Sequence, residues 1–255
     1  MPSISSTENL LAGLSDRQRE AVTHTNGPLL IVAGPGSGKT RVMAHRVAYL
    51  VGEKGVPPWK ILAVTFTNKA ARELRERCER LVGVGSNELQ VRTFHGFCSR
   101  VLRSDGERVG LKPEFTIYDA DDQARVARRI LDEFDIDPKQ FPPRALLSVI
   151  SEAKNNMRSP AQLSKRTETY RDEVASRVYE AYEGALQRSN AADFDDLLLK
   201  TYMLLEGHPE MLDKYQQRFE HLLVDEFQDT NPLQFQVARL LALKSQNICV
   251  VGDPD

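Results

Sequence analysis

The sequence predicts an α/β fold: a parallel sheet interrupted by a mostly helical inserted subdomain. Three observations carry that expectation. Short apolar, β-rich runs at residues 29–33, 61–66, 222–225 and 248–252 are each followed by a helical pattern, except the last. Alternation of this kind implies parallel strands joined by right-handed crossovers, and runs so uniformly apolar are expected to be buried on both faces. Between about residues 97 and 219 the pattern turns helical, at 121–134, 171–188 and 194–205, with breaks at Pro142-Pro143 and Ser159-Pro160 and one β-like run at 115–118. Because the sheet pattern resumes at 222, the expected organisation is a first sheet segment over 1–96, an insertion over 97–219 and a second sheet segment over 220–255.

Composition narrows the function classes. The chain has 255 residues and a net charge of −2, which excludes a strongly basic nucleic-acid-coating protein and leaves a local groove as the only form a DNA site could take. Cys78, Cys98 and Cys249 form neither a CxxC pair nor a Cys/His cluster of metal-ligand spacing, as expected of reduced thiols. The first ten residues, MPSISSTENL, lack a basic stretch followed by an apolar core, and no apolar run approaches membrane-spanning length. A cytoplasmic protein with no membrane partner is expected.

The first strand run leads into AGPGSGKTR, residues 33–41, and then a helical pattern to 51. Strand, glycine-rich turn and helix in this order form a P-loop: the glycines let the backbone curl so that consecutive N–H groups face phosphate oxygens at a helix N-terminus. Ala33, Gly34, Pro35, Gly36, Ser37, Gly38, Lys39 and Thr40 would line the phosphates of ATP, with Lys39 reaching the β and γ groups and Thr40 holding Mg²⁺. Ala33 replaces the first glycine of the strict pattern, so its backbone must suit a residue with a Cβ.

A P-loop alone leaves kinases, GTPases and motors open. The run HLLVDEFQDTNPLQ sets Asp225 and Glu226 at the C-terminal end of an apolar strand, the edge at which parallel sheets present ligand sites. Asp225 is placed to hold Mg²⁺, and Glu226 to orient and deprotonate a water attacking the γ-phosphate, a role that suits hydrolysis. The alternative for this segment is an acidic turn with Asp229 capping the helix that starts near Pro232.

These motifs, together with TFTNKAARELRERC, VRTFHGFC, AADFDDLLL and VVGDPD, resemble the UvrD/PcrA/Rep group of superfamily 1 DNA helicases over nearly the whole chain. The resemblance implies a RecA-like P-loop NTPase domain and a 3′-to-5′ translocase on single-stranded DNA that also meets single/double-strand junctions and repair or replication proteins. It implies that Gln18, in LSDRQREAV, reads the adenine, that Arg41 stacks on it, that Gln228 senses the γ-phosphate and that Asp253 links nucleotide to DNA. Ser15 and Gln18 also have capping-box spacing, which is a sufficient structural reason for the glutamine.

For DNA the resemblance implicates Thr65, Phe66, Thr67 and Asn68 in one motif and Thr93, Phe94 and His95 in another. Aromatic stacking suits single strands, although Phe66 and His95 serve equally well as core residues. Glu73 with Arg77 and Glu76 with Arg80 are spaced for pairing along a solvated helix face, and residues 153–156, AKNN, are expected to face duplex DNA. The family's second motor domain, which supplies charge-stabilising arginines, is expected beyond Asp255, leaving this stretch nearly inactive as a motor. Two other readings stay open: a non-motor module binding DNA or protein through the insertion, and a P-loop kinase acting on a small molecule.

Overall fold

A computed structural model describes residues 10–83, 88–165 and 169–254. Among them the strands are β1 (Leu29–Val32), β2 (Ile61–Thr65), β3 (Gln90–Thr93), β4 (Thr116–Ile117), β5 (Ala191–Ala192), β6 (His221–Val224) and β7 (Ile248–Gly252). The helices are α1 (Asp16–Thr23), α2 (Lys39–Gly52), α3 (Asn68–Val82), α4 (Phe94–Asp105), α5 (Ala120–Glu133), α6 (Pro143–Asn155), α7 (Pro160–Ser164), α8 (Tyr170–Arg188), α9 (Phe194–Gly207), α10 (Pro209–Arg218) and α11 (Pro232–Ala242). None is long and apolar enough to cross a membrane. The chain divides into two compact units, residues 1–97, 208–230 and 238–255 in one and residues 98–207 and 231–237 in the other.

The first unit is a five-stranded parallel sheet in the order β1-β7-β6-β2-β3. Met43, Val47 and Leu50 of α2 and Ala71, Leu74 and Cys78 of α3 pack with Ile61, Ala63, Val91, Leu223 and Val251 into its core. The expectation of strands buried on both faces holds for β2 and β6 but fails for β1, where Leu30 and Val32 are 64% and 55% exposed. β1 ends the sheet, so only alternate residues, Leu29 and Ile31, reach the core. β3 was not expected, because its Gln90 and Arg92 break the apolar signal. It pairs with β2 in the register Leu62↔Gln90 to Thr65↔Thr93. Residues 208–219, assigned from sequence to the insertion, belong to the sheet unit: the Phe97 ring lies 5.7 Å from that of Phe219 and 6.4 Å from that of Tyr215.

The second unit is helical, its core formed by residues such as Ile130, Leu131, Ile150, Val174, Val178 and Leu186 of α5, α6 and α8. Local chemistry sets where its helices start. Asp119 with Asp122, Ser159 with Gln162 and Thr169 with Asp172 form reciprocal capping boxes. At α9, Asp193 Oδ1 accepts from the Asp196 N–H at 2.8 Å while Asp196 Oδ2 accepts from the Asp193 N–H at 3.2 Å.

That last cap belongs to a buried charge cluster. Lys154, fully buried, lies 2.7 Å from Glu183 Oε1, 2.8 Å from Asp193 Oδ2 and 2.8 Å from Asp196 Oδ1. The ammonium donates hydrogen bonds to Asp193 and Asp196, Glu183 adds an ion pair, and the Tyr182 hydroxyl donates to Asp193 Oδ2 at 3.0 Å. Burial alone would pull the Lys154 pKa down, but the three carboxylates hold it well above its usual value. Burial also pushes the Asp196 carboxyl up, against the pull of Lys154. The expectation that residues 153–156 face duplex DNA therefore fails for Ala153 and Lys154, which this cluster and the core of α6 draw inside.

Removing one partner of a buried ionic cluster strands the others. Lys154→Met is expected to cost about 3–5 kcal/mol in urea unfolding. Arg125→Ala, which breaks the exposed Asp122–Arg125 pair, should cost less than about 1 kcal/mol.

Candidate active site

The site lies in the sheet unit, at the C-terminal ends of β1, β7 and β6. After Val32 the chain enters the loop 33–38, in which Gly36 and Gly38 take left-handed backbone angles, φ 73° and 89°. Ala33 has no such angle, which is how the loop accommodates its Cβ. Its N–H bonds Gly252 O at 3.1 Å, extending the β1–β7 ladder by one residue. Gly38 caps α2, and Lys39 Nζ turns back to Ala33 O at 3.1 Å and to Asp253 Oδ1 at 2.5 Å. An anion entering the loop competes with Asp253 for this ammonium.

From β6, Asp225 is buried, its N–H bonded to Val64 O at 2.9 Å. Burial and the neighbouring Glu226 charge push its carboxyl up to about 6, against the pull of the Glu226 N–H and Lys39. Glu226 itself sits at φ 48°, a conformation costing an L-residue roughly 1–2 kcal/mol. Gln228 joins the two strand ends: its Nε2 donates to Glu226 Oε2 at 2.8 Å, and its Oε1 accepts from the Asp253 N–H at 3.0 Å. A Cβ on Gly252 would lie 2.8 Å from Gln228 Oε1, so the bridge needs glycine there. Asn231, not Asp229, supplies the cap near Pro232, through Oδ1 to the Gln234 N–H at 2.8 Å.

A cavity of about 400 Å³ is lined by Pro35, Gly36, Gly38, Lys39, Thr40, Arg41, Arg77, Glu226 and Asp253. Its walls offer an ammonium, a hydroxyl, two guanidinium groups and a glycine-bearing loop, a donor set that fits a triphosphate. Thr40 in this lining, and Asp225 at the end of β6 outside it, carry hard oxygens suited to Mg²⁺.

Gln18 forms the capping box with Ser15 and also reaches the loop, its Nε2 donating to Ser37 O at 3.1 Å and its Oε1 accepting from the Ser15 N–H at 3.0 Å. A carboxamide has two donor protons and two lone pairs, so one of each remains for a ligand edge. Arg77 was missed from sequence. It lines this cavity and a second of about 350 Å³ with Arg41, Ala44, His45, Arg80 and Leu81. The expected Glu73–Arg77 and Glu76–Arg80 pairs do not form among the described residues, and Arg80 Nε instead bonds Glu76 O at 3.2 Å. The i,i+4 spacing that suggested pairing says nothing about which cation faces a neighbouring helix.

The two segments associated with DNA come together through the β2–β3 register, which sets Thr65 beside Thr93. Asn68 is exposed, Phe66 and His95 are half-buried, and Phe94 is 3% exposed. Thr65 is buried with its hydroxyl on Thr67 O, and Thr67 and Thr93 accept from the N–H groups of Ala70 and Gly96. A strand in this region would meet Phe66, Thr67, Asn68 and His95 before the buried pair.

Residues 14–255 match the UvrD/REP helicase N-terminal domain family. The chain is 49% identical over 249 residues to the ATP-dependent DNA helicase PcrA of Bacillus subtilis, covering 98% of this chain and 34% of that protein. It is 48% identical over 246 residues to PcrA of Staphylococcus aureus strain Mu50, covering 96% and 34%, and 47% identical over 251 residues to PcrA of Leuconostoc citreum, covering 98% and 34%. The chain thus spans about a third of the length of the curated relatives it matches.

Ionising a buried carboxyl costs the unliganded fold, so the Asp225 contribution is favourable below its unfolded pKa near 4 and is lost as pH rises through about 6. Asp225→Asn should therefore raise unfolding free energy by about 1–2 kcal/mol at pH 7.5, with the gain shrinking toward zero at pH 4. Urea titrations at the two pH values check this.

Proposed function

The chain belongs to the UvrD/REP helicase N-terminal domain family, and from that premise we propose that it is the nucleotide-binding part of a 3′-to-5′ single-stranded DNA translocase, taking ATP with Mg²⁺. The strongest support is the convergence of Lys39, Thr40, Glu226 and Asp253, from three separate strand ends, on one cavity. Lys39 and the loop 33–38 hold the phosphates, Thr40 and Asp225 hold the metal ion, and Gln18 and Arg41 take the base. Mg²⁺, when bound, neutralises phosphate charge. Glu226 orients the attacking water and takes its proton, and Gln228, already bonded to both Glu226 and Asp253, reports whether the γ-phosphate is present.

DNA follows the β2–β3 end of the sheet, with Phe66 and His95 offering ring faces and Thr67 and Asn68 polar contacts. Residues 98–207, as a helical subdomain inserted between segments of the sheet unit, would serve junctions and partner proteins in the cytoplasm. The relatives are about three times as long as this chain. In a two-domain motor the second domain supplies charge-stabilising arginines worth on the order of 10³–10⁵ in rate, so these residues alone are expected to bind ATP yet hydrolyse it near background.

Measured on the 255-residue chain, MgATP affinity should fall at least about tenfold in Lys39→Ala, since one charge-assisted phosphate contact is worth about 1.5–3 kcal/mol. Unchanged affinity would remove the nucleotide site. Hydrolysis with and without single-stranded DNA, beside Glu226→Gln, tests the rest: a Glu226-dependent rate stimulated by DNA would refute the need for a second domain.

A further inference from the structure

Helix α2, which follows the phosphate loop, buries Val42, Met43, Val47 and Leu50, and within this apolar stripe stands Arg46, 2% exposed. Arg46 Nη1 donates to Ala21 O at 2.9 Å and to His24 O, at the C-terminal end of α1. Among the described residues no carboxylate pairs with it, and its Nε has no hydrogen-bond partner. The titratable groups that interact with it offer no counter-charge: burial and the guanidinium lower the His221 pKa, and burial pushes the Cys249 thiol up to about 11. The charge is met by main-chain carbonyls and the negative end of the α1 dipole.

We propose that Arg46 is a positioning residue for base recognition: by gripping the C-terminal carbonyls of α1, it holds Gln18 in register against the phosphate loop. This rests on the reading of Gln18 as the base contact. Ala21 lies three residues beyond Gln18, so grip and reader are about one helical turn apart on one side of α1. The helix is fastened at two points of the loop-and-helix segment, through Gln18 Nε2 to Ser37 O and through Ala21 and His24 to Arg46. Leu14 and Val22 of the α1 region pack on Val42, but apolar packing tolerates a small rotation. A buried guanidinium does not, because turning α1 by one residue, about 100°, would strand the charge without acceptors. Gly38 completes the arrangement, since a Cβ there would lie 3.3 Å from Gln18 Nε2.

The test measures binding of ATP, GTP and inorganic tripolyphosphate, each with Mg²⁺, to the 255-residue chain and to Arg46→Gln, Arg46→Lys and Gln18→Ala. The expected result is an ATP-over-GTP preference that falls at least fivefold in Arg46→Gln, and less in Arg46→Lys, with tripolyphosphate affinity unchanged within twofold. Amide exchange should accelerate in residues 17–23 while that of Ile61–Thr65 stays as in the parent. A preference that collapses in Gln18→Ala but survives in both Arg46 variants overturns the inference and leaves the reading of Gln18 standing. So does equal weakening of all three ligands, or loss of the folded state in both Arg46 variants, either of which would make Arg46 a general core residue. A parent chain or Gln18→Ala variant whose selectivity denies Gln18 any role sinks the reading and, with it, the inference.

Discussion

Everything at the candidate site depends on the parallel alignment of β1, β7 and β6. Parallel strands end at the same edge, so the loops that leave them open on one side of the sheet. The register Val32↔Gly252 and Val224↔Val250 fixes how far each loop projects, and the Ala33–Gly252 and Asp225–Val64 backbone bonds carry the ladder one residue past the strands. Lys39 and Asp253, 214 positions apart, consequently meet at 2.5 Å. A shift of one residue in any of these pairings would turn alternate side chains to the other face and disperse the cavity lining.

The two polar centres of the molecule use burial in opposite ways. Around Lys154 three carboxylates neutralise one fully buried cation, two of them through hydrogen bonds. At the loop, satisfaction is incomplete and exchangeable. Lys39 is neutralised by an aspartate that an incoming phosphate can replace, Asp225 carries a raised pKa that a cation would lower, and Gln18 keeps one donor and one acceptor in reserve. Glu226 is held in a left-handed turn that its length of chain would not choose alone. Breaking the first centre would strand buried charge, whereas the second is open to exchange with a ligand.

Legibility followed the range of the interaction. The phosphate loop and the acidic strand end were readable because each is written within a few consecutive residues whose backbone angles and hydrogen bonds are local. Strands β2, β6 and β7 announced themselves by apolar content, whereas β3, with Gln90 and Arg92 in it, did not. The buried Lys154 was read as a DNA-facing lysine, since a lysine near the end of a helix is usually exposed. Arg46 carried a detectable signal, an arginine four residues from both Val42 and Leu50 on one apolar stripe.

The sequence by itself determined the family, the alternation of strand and helix, and the chemical groups available to a nucleotide. Tertiary structure alone decided that β1 ends the sheet with Leu30 and Val32 outward, that Gln18 both caps its helix and touches the loop, and that Arg77 turns to the cavity. The reason is physical. Periodicity and capping are settled by neighbours three or four residues away, but the partner of a side chain is settled by strand order, which places residues hundreds of positions apart in contact and leaves no local trace.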